Sequence, residues 1–95
     1  MPDFLKSIEA CINGKLDEDT CDKIFLQTGI MAELDAILLY QTIAEKTNNV
    51  RIRQIMLDVA REEKTHAGEF QYLLRKIDKE FDNELKKGQK EVEDK

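Results

Sequence analysis

A chain of 95 residues carrying a net charge of −5, with 37% charged residues of interspersed sign, has room for one small core and not for two. That charge argues against nucleic acid or an anionic membrane as partner and suits the attraction of cations. No apolar run approaches the ~18–20 residues of a membrane span, and "MPDFLKSIEA" lacks the layout of a signal peptide. Cys11 and Cys21 show no CxxC spacing and no companion cluster, so the expectation is two ordinary thiols in a reducing, cytoplasmic compartment.

One proline, four glycines and almost no β-branched alternation predict an all-α chain, punctuated at "INGKLDEDT", "TNN" and "KIDKEFDN". The first helix is expected over about Asp3 to Ile12, with Phe4, Ile8 and Cys11 at helical spacing and Asn13-Gly14 as its stop. The second begins near Asp19, a suitable N-cap, and runs to about Lys46. After the "TNN" turn the third runs from about Val50 to Ile77. A short fourth helix, about Glu80 to Glu91, has only Phe81, Leu85 and Val92 to bury, and its charged remainder reads as a fraying end. The expectation is one domain over residues 1–95. Its core is an antiparallel hairpin over about 19–77, two helices of about 28 residues and ~42 Å each. Two helices cannot cover both of their own apolar faces, and the chain contains no internal repeat. A homodimer that completes a four-helix bundle follows.

Read in steps of three and four, the third helix gives Ile52, Ile55 or Met56, Val59, Glu63, His66, Phe70, Leu73 and Ile77. The second gives Leu26, Ile30, Glu33, Ile37, Tyr40 and Ala44. Glu33, Tyr40, Glu63 and His66, the last being the only histidine, interrupt lines that are otherwise apolar. An unpaired buried carboxylate costs several kcal/mol or takes up a proton, so facing carboxylates imply compensation, most economically by a bound cation. In Glu-x-x-His the two side chains lie one turn apart on one face and can serve one site, with a third carboxylate reaching in from the neighbouring helix. Di-iron carboxylate bundles are built from two lone glutamates and two such pairs. One chain holds half that set, and two chains would bring four carboxylates and two imidazoles. The bland alternative is a hydrogen-bonded core histidine, since Glu-x-x-His is common by chance in charged helices. Glu62, four residues before His66, competes as ligand but follows Asp58 on a polar line. Glu69 and Asp35 read as accessory or approach-path carboxylates, or as plain surface acids. Tyr40 reads as a core aromatic whose hydroxyl needs a partner.

The stretches "MAELDAILLYQTIAEKT" and "IRQIMLDVAREEKTHAGEFQYLLRKID" together resemble the encapsulated ferritins, the short ferritin-like proteins found inside encapsulin nanocompartments or fused to the shell protein. The resemblance covers about Cys21 to Ile77 and rests on the combination "AELDA", "LY" and "EEKTHAGEF". It implies that Glu33, Glu63 and His66 are ferroxidase ligands and that Tyr40 stands just behind them. It further implies pairing across a dimer interface and assembly of dimers into a ring, decamer-like. Leu39 stands where certain members carry tryptophan, and Ala32 where certain members carry an acidic residue on the approach path; Asp35 keeps one acidic position there. The 95 residues hold no recognisable targeting peptide and no shell domain, so the expectation is either a chain that continues further or a member that reaches its shell in another way.

The function expected is therefore oxidation of Fe(II) to Fe(III) at a di-iron centre formed between two chains. Two Fe per dimer are expected, with other divalent cations as surrogates, for storage in an encapsulin compartment with the shell protein as partner. The alternatives are a rubrerythrin-like di-iron peroxidase and a metal-free helical dimerisation module.

Overall fold

In a computed structural model, which describes residues 4–95, the chain is a run of four helices: α1 (Phe4–Ile12), α2 (Glu18–Lys46), α3 (Val50–Ile77) and α4 (Lys79–Glu93). Among the described residues there is no strand. The expected start at Asp3 and the packing of Phe4 lie outside the described residues. The helices α2 and α3 form the antiparallel hairpin. Among the described residues α1 packs on α2 alone and α4 on α3 alone.

Each junction has a local cause. Gly14, at φ +70°, ends α1: its N–H donates to Cys11 O at 3.1 Å and that of Lys15 to Ala10 O at 3.0 Å, the paired bonds of a Schellman turn. The N-cap of α2 is Asp17, two residues before the expected Asp19. At the hairpin turn Asn49 Oδ1 accepts from the N–H groups of Arg51 (2.9 Å) and Ile52 (3.1 Å), supplying the donors at the start of α3 with an acceptor. Arg53 reaches back from α3 and donates to Ala44 O (3.1 Å) and Thr47 O (2.8 Å), which the end of α2 leaves unpaired. Asp78 ends α3 and caps α4, accepting from Phe81 N–H at 3.0 Å. The fourth helix thus begins at Lys79 and runs to Glu93, longer than expected.

The α2 line found in the sequence is the one that faces α3: Ile37 and Ala44 are buried, and Leu26, Ile30, Glu33 and Tyr40 half-buried. The α3 line differs. Its inward positions are Arg53, Met56, Ala60, Glu63, Ala67, Phe70 and Leu74, with Ala60 and Leu74 buried. Of the line read as core, Met56, Val59, Glu63 and Phe70 are half-buried, whereas Ile52, Ile55 (the alternative to Met56), His66, Leu73 and Ile77 are exposed. The α3 stripe is wider than one seam, and the sequence count merged an inward edge with an outward one. Gly29 lets the hairpin close, since a Cβ there would lie 3.0 Å from the Phe70 ring.

Cys11 and Cys21 are joined by a disulfide, with their Cα atoms 5.7 Å apart. This corrects the expectation of two free thiols. The turn through Asn13 and Gly14 folds α1 back onto the start of α2, a reversal that the cysteine spacing alone does not reveal. A ten-residue separation constrains the unfolded chain by roughly 2–4 kcal/mol in the loop-entropy account.

Candidate metal centre

Glu33 stands mid-way along α2, and Glu63 and His66 stand one turn apart on α3 where that helix runs beside it. One donor atom from each lies within 4.8 Å of the other two, the only such group of three or more His, Cys, Asp or Glu residues among the described residues. His66 Nδ1 is 3.8 Å from Glu33 Oε2 and 3.8 Å from Glu63 Oε1. These separations are too long for hydrogen bonds. They are of the order expected between donors around one shared cation, about 3–4 Å for ligand distances of roughly 2.0–2.2 Å.

Burial sharpens the point. The glutamate side chains are 16% and 20% exposed, while that of His66 is 47% exposed. Glu33 Oε2 is buried with no hydrogen-bond partner. A carboxylate oxygen removed from water and left unpaired is costly, and a divalent cation between it, Glu63 and the imidazole would satisfy it. The donor set, two carboxylates and one imidazole, suits iron and its divalent neighbours. The residues present therefore fit a metal ion.

The other candidates stand apart. Asp35, Glu62 and Glu69 are exposed and outside the cluster. Tyr40 is half-buried, two turns along α2 from Glu33, and its hydroxyl has no hydrogen-bond partner among the described residues. A cleft of about 400 Å³ at the α3–α4 corner is lined by Arg75, Lys79, Asp82 and Lys86 among others. Asp82 already accepts from Arg75 Nε (2.5 Å) and pairs with Lys86 Nζ (3.1 Å). Arg75 first, then Lys86, holds the Asp82 carboxyl below the usual carboxylate range. The residues that build this corner, Arg75 and Asp82, were not singled out by sequence; the i,i+7 step across a helix break carries no periodic signal.

Comparison with known proteins gives the family and the fold. A family profile described as Rubrerythrin matches residues 25–95. Over 69 residues, 73% of this chain, the sequence is 51% identical to a ferritin-like–encapsulin shell fusion protein of Pyrococcus furiosus, and the match spans about a fifth (20%) of that relative's length. A crystal structure of an encapsulated ferritin domain from Pyrococcus furiosus matches with TM-score 0.80 and 44% identity, covering 83% of this chain and 81% of that one. The chain belongs to the rubrerythrin family of ferritin-like proteins, as a member of the encapsulated-ferritin type. Its fold is the ferritin-like helical fold. Among the described residues no helix is long and apolar enough to cross a membrane.

Proposed function

We propose that the chain is a ferroxidase that takes Fe(II) as substrate between Glu33, Glu63 and His66 of two paired chains. The observation that carries this reading is the convergence of those three side chains with the Glu33 oxygen buried and unpartnered. The half-exposed His66 stands on α3 in line with the exposed Ile52, Ile55, Leu73 and Ile77, and the exposed Phe25 of α2 lies beside Leu73 and Ile77; together they supply an apolar face around a half-built site. A second copy laid on that face covers the apolar side chains and brings the missing carboxylates and imidazole. Two Fe(II) ions each give up one electron, and dioxygen takes both electrons and two protons from water to leave as hydrogen peroxide. Glu33 and Glu63 neutralise the entering charge, His66 completes the donor set, and the pairing of chains excludes bulk water. The likeness to a shell fusion protein supports iron storage inside an encapsulin compartment as the destination of the Fe(III). Ring assembly of dimers and a single domain over residues 1–95 belong to the same proposal.

The rubrerythrin match favours one second reading, in which peroxide rather than dioxygen is the oxidant. Anaerobic protein loaded with Fe(II) and mixed with each oxidant in turn separates the two. Glu63→Ala and His66→Ala should each lower Fe(II) oxidation by roughly a hundredfold or more, whereas Glu62→Ala should leave it within about twofold. Equal and mild effects of all three substitutions would overturn the ligand assignment.

A further inference from the structure

The profile match begins at residue 25, so α1, both cysteines and the disulfide precede the part of the chain that the family covers. Nine residues fall short of the roughly 12–15 at which an isolated helix becomes even marginal in water. Docking therefore keeps α1 helical. Among the described residues α1 meets no element but α2. Ser7, Ile8 and Ala10 are only half-buried, and Ile12 remains 77% exposed. The covalent link at Cys11 is the firmest part of that attachment. The two sulphurs differ in access: Cys21 is enclosed, 7% exposed, while Cys11 is half-buried in the last turn of α1.

We propose that Cys11–Cys21 is a thiol–disulfide exchange site whose substrate is a dithiol reductant, and that exchange there releases α1 from the hairpin while α2 and α3 stay folded. The reductant's thiolate attacks the Cys11 sulphur, the bond between Cys11 and Cys21 breaks, and Cys21 leaves as a thiolate and takes up a proton. The second thiol of the reductant, deprotonated, then attacks the mixed disulfide; Cys11 leaves and is protonated, and the reductant departs as its own disulfide. Two electrons pass to the chain, and two thiols replace one disulfide. Release leaves the metal-binding residues in place because Glu33 stands twelve residues after Cys21 on α2, and Glu63 and His66 stand on α3, which α1 does not contact among the described residues.

Hydrogen exchange read by mass spectrometry on the full chain, before and after dithiothreitol, tests this directly. Amides of residues 5–16 should lose protection by roughly tenfold or more on reduction, while those of 26–46 and 50–77 change by less than about twofold. Cys11→Ser should show the released pattern without reductant and gain nothing from its addition. Protection of α1 that survives complete reduction, or is already lacking in the oxidised protein, would overturn the proposal. So would a parallel loss throughout α2 and α3, or alkylation of both cysteines in denatured protein that has never been reduced.

Discussion

Glu33 is the residue at which the absence of a cation should be felt most, because its Oε2 is buried and unpartnered. Glu33→Gln keeps the shape and removes the charge, and its amide can donate to Glu63 or His66. Metal-free protein carrying it should be more stable than the parent by about 1 kcal/mol, read as a rise in the denaturant midpoint, while iron binding is lost. A destabilised metal-free variant would mean that Glu33 holds the apo fold through a contact of its own. Tyr40 makes the opposite case. Its hydroxyl has no partner among the described residues, so Tyr40→Phe should change monomer stability by less than about 0.5 kcal/mol and leave iron stoichiometry intact. A change in oxidation rate alone would give the phenol a role toward the centre or the paired chain.

At the level of elements, the junctions hold specific side-chain contacts that can be tested one at a time. Asn49→Ala removes the acceptor for two amides at the start of α3 and should cost about 1 kcal/mol in chemical denaturation; a cost near zero would show that water replaces the cap. The α3–α4 corner adds a pH dependence of definite sign. Arg75 and Lys86 depress the Asp82 pKa from its ordinary 3.8, so the folded state favours the ionised form. Its contribution is complete above the unfolded value near pH 4 and is lost as pH falls through the lower folded one. Thermal melts of parent and Asp82→Asn should therefore differ at pH 6 and converge as pH falls through the lowered folded-state value; a difference that grows on acidification would contradict this. Element order, the hairpin and the α2 line were legible in the sequence because three- and four-residue periodicity reports one wide apolar face. The offset of the α3 line was not, since a stripe broad enough for two contacts does not say which edge turns inward. Glu33, Glu63 and His66 were legible because polar side chains stand out against that stripe. The disulfide was hidden in the geometry of a turn, and the Arg75–Asp82 pair in a change of helix axis.

For the whole molecule, the hairpin buries few residues completely: Cys21, Ile37, Ala44, Ala60 and Leu74 are its enclosed apolar side chains. A bundle in which one copy covers another, with half a metal site on each, links assembly to metal. A ligand bound by the dimer and not by the monomer must favour the dimer by mass action. In the dimer we propose, the carboxylates of the two copies face and, without the ion, repel one another, so Glu63→Gln should abolish iron-driven association and yet strengthen association of the metal-free chains. The most direct measurement is sedimentation equilibrium of the parent chain, anaerobically, with and without Fe(II), alongside counting of bound iron. Our account predicts an association constant raised by roughly tenfold or more and about one iron per chain in the dimer. Iron bound with full stoichiometry by monomers, or association indifferent to Fe(II), would contradict it.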